Sequence, residues 1–173
     1  VTVRYEWYAN ELGQRTRHID DSHAYLNGGT VWLYHPGQRD APIEVTLQVP
    51  AGWVSRAGMA KGACDHCFVA ADYDVLADSP IETGIHEFHS FVVDGKTIEL
   101  AIWGAGNHDG KQIAADLQKI VATTGKLFGS YPFERYLFIV HATGGEGGAT
   151  EHLNSTVIQK PRWSFAPRKE YLK

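Results

Sequence analysis

The hydrophobic period changes once along this chain, and that change constrains the fold more than any single motif. After Gly104-Ala105-Gly106, the residues Ile113, Leu117, Ile120, Val121, Thr124 and Phe128 recur at three- and four-residue steps. This predicts one long amphipathic helix. Asp109 and Gln112 supply a D-x-x-Q capping box at its start, Gly129 a residue suited to its end, and Pro132 a stop beyond it. "RYLFIVHA" is almost continuously apolar and reads as a buried strand. A glycine-rich stretch, "TGGEGGATEH", follows, and then "LNSTVIQ", a further strand.

The preceding residues read as β. "VTVRYEWYA" alternates Val1, Val3, Tyr5 and Trp7 with Thr2, Arg4, Glu6 and Tyr8, the period of a strand. "GTVWLYHP" and "IEVTLQVP" read as two more strands, closed by Pro36-Gly37 and Pro50. "HEFHSFVV" and "TIELAIWG" flank Asp94-Gly95, a strong hairpin signal. "ADYDVLADSP" reads as one helical turn. The predicted architecture is mainly β with an α/β C-terminal part: an antiparallel β-sandwich over 1–104, incomplete at its N-terminus, then an α/β portion over 105–173. The chain starts at Val1 inside a β-patterned run and stops at "PRKEYLK", which reads as the first turn of a helix. Both ends therefore read as cuts in something longer.

Of the 173 residues, 43% are hydrophobic and 21% charged, an ordinary globular balance. The net charge of −4 argues against nucleic acid as the main partner. The best apolar run is too short to span a bilayer, so no membrane partner is expected. The two cysteines, Cys64 and Cys67, form a C-x-x-C that fits half a zinc site, a redox pair or an incidental pair, and the last is the preferred reading. Nothing marks a compartment, and a cytoplasmic location is only weakly favoured over a periplasmic one.

Nine histidines invite a search for metal ligands. "HEFH" places His86 and His89 three apart in a strand pattern, on opposite faces, so they do not chelate one ion together. His18, His23, His35 and His108 show no ligand spacing. "DGKT" lacks the upstream glycine of a phosphate loop, and "GGEGGA" is not followed by a helix. Asn154-Ser155-Thr156 is a formal glycosylation sequon. The informative stretch is "GGEGGATEHLNST". Its glycines let another backbone approach closely, and a strand there would accept a peptide by edge addition. A carboxylate beside such an edge is a natural partner for a free amino group.

Gly147-Gly148, Glu151-His152 and "LNST", after "YPFERYLFIVH", resemble the M61 metallopeptidases, the glycyl aminopeptidase group. "VTVRYEWYANELGQRTRHIDDSHAYLNG", "DYDVLADSPIE" and "VDGKTIELAIWG" also look like that family's N-terminal region. The resemblance implies an N-terminal β-sandwich like that of M1 aminopeptidases, followed by the opening of a thermolysin-like catalytic domain. It implies that Gly147, Gly148 and Ala149 line a peptide substrate, that Glu151 holds its free amino terminus, and that His152 supports the site. It also implies one zinc ion in the full-length protein and removal of small N-terminal residues such as Gly or Ala. "GGATEH" is one residue longer than the family's G-G-x-E-H, and no H-E-x-x-H occurs. This segment is thus expected to hold no metal, to have no catalytic residue of its own and to be inert alone. Its expected partners are the peptide N-terminus, the rest of the catalytic domain and a second copy across an unpaired sheet edge. The rival reading is a non-catalytic β-sandwich module that binds peptide or glycan on an aromatic platform of Trp7, Trp32 or Trp53.

Overall fold

The computed structural model describes residues 1–172. Its elements in chain order are β1 (Arg17–Ile19), β2 (His23–Leu26), α1 (Gly28–Val31), a 3₁₀ turn (Pro36–Gln38), β3 (Ile43–Thr46), β4 (Val54–Ala57), β5 (Ala60–Lys61), β6 (Cys67–Ala70) and α2 (Tyr73–Ala77). Then come β7 (Ile81–Gly84), β8 (Glu87–Val93), β9 (Lys96–Trp103), α3 (Gly110–Phe128), β10 (Arg135–Thr143), β11 (Gly148–His152), β12 (Ser155–Pro161) and α4 (Arg168–Tyr171). No helix among the described residues is long and apolar enough to cross a membrane.

The strands form three sheets. One is antiparallel, in the order β1-β2-β7-β4, and a smaller antiparallel one runs β3-β6-β5. Alternation along β2 and β7 gives the first of these two distinct faces. Ala24, Leu26, Ala57 and Ile81 point one way and join Val45, Phe68 and Ala70 of the small sheet in one apolar core. Trp53 is buried in that core, and Trp7 and Trp32 pack against it. The three tryptophans are therefore packing residues, which removes the aromatic platform of the binding-module reading.

The third sheet is mixed, in the order β11-β12-β10-β9-β8. Asp94 and Gly95 turn β8 into β9 with φ of 48° and 81°, the left-handed pair that a two-residue hairpin requires. β9, α3 and β10 then make a crossover between parallel strands, with Leu137 beside Glu99 and His141 beside Trp103. The Asp109 side chain accepts a hydrogen bond from Gln112 N at 3.1 Å, and Gly129 closes α3 at φ 77°. Half of the expected capping box forms: the Gln112 side chain turns forward to Asp116 instead of back to Asp109. Leu100, Ile102, Val140 and Ala142 pack under Ile113 of the helix. Tyr25, Ala101, Leu137, Ile139 and Val157 fill the opposite face, where the four-stranded sheet lies.

Three expectations are corrected. Residues 1–9 form no strand; their alternation finds no neighbouring ladder among the described residues beyond one bridge between Asn10 and His18. "GTVWLYHP" forms no strand: its start belongs to α1 and its end to the 3₁₀ turn, and α1 packs so close to α2 that a Cβ added at Gly28 would stand 2.4 Å from Leu76 O. The division expected at residue 104 cuts through the mixed sheet, since β8 and β9 pair with β10. The change of architecture falls between β7 and β8. The segments 43–46, 73–77, 135–143 and 155–161 take the predicted types.

Candidate functional site

β11 is the outermost strand of the mixed sheet and, among the described residues, pairs only with β12. Its register sets Ala149 opposite Ile158, Thr150 opposite Val157, Glu151 opposite Thr156 and His152 opposite Ser155. Val157 and Ser155 are buried toward the four-stranded sheet, so Thr150 and His152 share that side. Ala149 and Glu151 stand on the α3 side and are exposed. Glu151 and His152 thus face opposite ways, as their spacing predicts.

His152 is held from behind. Its Nδ1 lies 2.9 Å from Asp78 Oδ1, and Leu153 N donates to Asp78 Oδ2 at 2.9 Å. Asp78 follows α2, so a residue 74 positions earlier fixes the β11–β12 turn. On the Glu151 side, the Tyr136 hydroxyl meets Thr156 Oγ1 at 2.6 Å and donates to Ser155 O at 2.9 Å. Burial first, with the charges of Glu151 and Asp78 adding, raises the Tyr136 phenol above its usual range, so it stays a protonated donor at neutral pH. Tyr136 and Phe138 also line an apolar groove of about 520 Å³ against Val121, Gly125 and Phe128 of α3. Gly147 and Gly148 lead into the strand and are exposed, which leaves the outer backbone edge approachable from the loop end. Gly148 is approached by Gln14, whose Nε2 would stand 2.3 Å from an added Cβ.

A second constellation was invisible to spacing. His23 on β2, Glu82 on β7 and His141 on β10 meet where the four-stranded and mixed sheets pack, and all three are 0% exposed. Glu82 Oε1 lies 2.8 Å from His23 Nδ1, and Oε2 lies 2.9 Å from His141 Nε2. Burial alone would raise the Glu82 carboxyl. Attraction to His141 and hydrogen bonds from both rings outweigh it and hold the group below its usual range. An ionised carboxylate only accepts, so each facing ring nitrogen carries its proton. The indole of Trp103 stacks on His23, with centroids 3.6 Å apart, and donates from Nε1 to Ser22 Oγ at 3.0 Å. His23 Nε2 then faces His18 Nδ1 at 3.1 Å. Burial, followed by the nearby His23, lowers His18 below its usual range. His18 and His23, read as lacking ligand spacing, are therefore brought together by the β1–β2 hairpin; five positions across a tight turn place them on one side.

The remaining candidates separate. His86 Nε2 accepts from Arg56 Nε at 2.9 Å, whereas His89 Nε2 lies 2.7 Å from Glu87 Oε1 under the start of α3. Cys64 and Cys67 form a disulfide, so neither thiolate is free for a metal.

Residues 1–85 match the peptidase M61 N-terminal domain. The structure is similar to that of an aminopeptidase N family protein from Idiomarina loihiensis. Sequence identity is 32% and the TM-score 0.84, covering 88% of this chain and 27% of that one. An M1 zinc metallopeptidase from Deinococcus radiodurans is similar in fold at 13% identity and a TM-score of 0.52, covering 91% of this chain and 41% of that one. A two-domain M1 zinc metallopeptidase bound to L-arginine is similar at 14% identity and a TM-score of 0.51, over 84% and 38%. No curated protein matches the sequence. The chain thus spans about a quarter to two-fifths of the length of these solved relatives.

Proposed function

We propose that these residues belong to a zinc aminopeptidase in which β11 receives the N-terminal segment of a peptide. The observation that carries this reading is an approachable sheet edge with a carboxylate, Glu151, exposed on the α3 side and a neighbouring residue, His152, locked on the other. On this reading the mixed sheet with α3 opens a thermolysin-like catalytic domain, and the two antiparallel sheets are its N-terminal β-sandwich. Peptide backbone adds to the outer edge of β11, with Gly147, Gly148 and Ala149 offering close approach and main-chain hydrogen bonds. Glu151 binds the free ammonium group, which makes the activity an exopeptidase one, and the resemblance to the glycyl aminopeptidases adds a preference for small N-terminal residues such as Gly or Ala.

The residues present do not fit the catalytic zinc of this reading. Zinc in a peptidase takes three protein ligands, and Glu151 and His152 point to opposite sides of β11, with His152 engaged by Asp78. No H-E-x-x-H occurs in the sequence. What this chain supplies is positioning: the edge strand orders substrate, Glu151 sets its register, and Asp78 through His152 holds the strand.

The test uses the protein that contains these residues. Glycyl- and alanyl-naphthylamides should be hydrolysed in a chelator-sensitive manner. Glu151→Gln should raise KM at least tenfold, and N-acetylated substrates should be refused. No hydrolysis of any aminoacyl substrate, or an unchanged KM in Glu151→Gln, would sink the proposal.

A further inference from the structure

The β1–β2 hairpin carries a set of metal-ligating side chains that substrate binding does not use. We propose that His18, Asp20 and His23 bind one divalent transition-metal ion, zinc foremost. One ligand atom from each lies within 4.8 Å of the other two. His18 Nδ1 and His23 Nε2 are 3.1 Å apart. Two nitrogens on a tetrahedral zinc, each about 2.0–2.1 Å from the ion, stand roughly 3.3 Å from one another, so the rings already sit within tenths of an ångström of that spacing.

The surroundings order these ligands. His23 uses its Nδ1–H on Glu82, whose buried carboxylate only accepts, so the Nε2 lone pair is the one that faces His18. A ligating imidazole whose far nitrogen donates to a carboxylate is the arrangement that fixes tautomer and ring orientation in metal sites. Trp103 stacks on the same ring at 11° to its plane. On β7, Gly84 leaves room for it: an added Cβ would meet His23 Cβ at 2.5 Å. Asp20 is held by Ser22 N, Ser22 Oγ and His23 N, and all three hydrogen bonds fall on Oδ1. Oδ2 thereby remains open to an ion. Asp20 is exposed and His18 half-buried, which gives the ion a path and a fourth position for water. Two imidazoles and one carboxylate select zinc, cobalt, nickel or copper over magnesium and calcium.

The proposal stands apart from the peptidase reading and is tested separately from it. The chelator-stripped protein is titrated with zinc by calorimetry and with cobalt by visible absorption. Because His23 contacts Trp103, cobalt or copper should also quench tryptophan fluorescence. Expected are one zinc equivalent that His18→Ala removes or weakens at least tenfold, similar weakening in Asp20→Asn, and quenching that is lost in Trp103→Phe. Any peptidase activity should survive His18→Ala. Equal zinc content and affinity in the wild type and His18→Ala would overturn the site, as would magnesium displacing zinc at equal concentration.

Discussion

His141 Nε2 lies 2.9 Å from Glu82 Oε2, and this contact pins the mixed sheet to the four-stranded one. The same carboxylate holds His23 on β2, so one fully buried charge serves two rings from two sheets. A single truncation leaves both rings without their acceptor in a fully buried interface. Glu82→Ala should therefore lower unfolding free energy by about 3–5 kcal/mol, the range for breaking one member of a buried ionic group. Glu82→Gln keeps the shape and one acceptor, and should cost visibly less. Urea midpoints of the two variants decide it: equal losses would mean that packing, not the charge, holds the sheets.

Gly104 closes β9 at φ 94°, and a Cβ there would lie 2.4 Å from Ala142 O on β10. Both the conformation and the space exclude a side chain. Gly104→Ala should cost about 2–4 kcal/mol, combining left-handed strain with overpacking against backbone. Gly95 is the contrast: its φ is 81° but nothing stands within 4 Å of an added Cβ. Gly95→Ala should cost about 1 kcal/mol, from conformation alone. Thermal midpoints measured side by side separate the two terms.

Much of the fold was legible because its signals are local. The Asp94-Gly95 turn, the α3 stripe with Asp109 before it and Gly129 after it, and the apolar run of β10 each carry their own instruction within a few residues. The first nine residues show where that logic ends. Alternation states that a segment can line one face of a sheet, but a strand exists only where another offers its ladder. The candidate site divides in the same way. The opposed facing of Glu151 and His152 followed from strand geometry. Asp78 behind His152 did not, because it lies 74 residues upstream. The His23–Glu82–His141 group was equally hidden: its members sit on three strands, and only the stacking of two sheets joins them. His23 with Gly84 opposite it, and Trp103 beside His141 on the neighbouring strand, are the nearest thing to a signal.

Arg168 of α4 donates from Nη2 to Asp116 Oδ1 at 3.0 Å and from Nη1 to Oδ2, a two-pronged clamp on α3. The Arg168 hydrogen bonds, more than any other influence, hold the Asp116 carboxyl below its ordinary value of 3.8. A carboxyl with a lowered folded pKa contributes stability above the unfolded value and loses it as pH falls through the folded one. α4 should therefore stay docked at pH 5–7 and release below about pH 4. Amide exchange of residues 168–172 should accelerate in that window. Asp116→Asn should show the fast exchange already at pH 7. Unchanged protection in that variant would mean that Phe165 and Tyr171, stacked nearby, hold α4 without the ion pair.

Asp78 ties the candidate substrate strand to the small-sheet side of the molecule. Its two oxygens serve His152 Nδ1 and Leu153 N, both at the β11–β12 turn. Removing the carboxylate takes the partner from the His152 ring and from Leu153 N at a solvent-exposed turn, a loss of about 0.5–1.5 kcal/mol. Because β11 is an edge strand, the loss should appear first as local opening rather than global unfolding. Asp78→Ala should speed amide exchange over residues 148–153 while β10, two strands inward, keeps its protection. If β11 positions a peptide through Glu151, the same variant of the enzyme should raise KM several-fold with a smaller change in kcat, since the residue touches no substrate. Faster exchange with an unchanged KM would leave the turn as a structural lock and remove the edge strand from substrate binding.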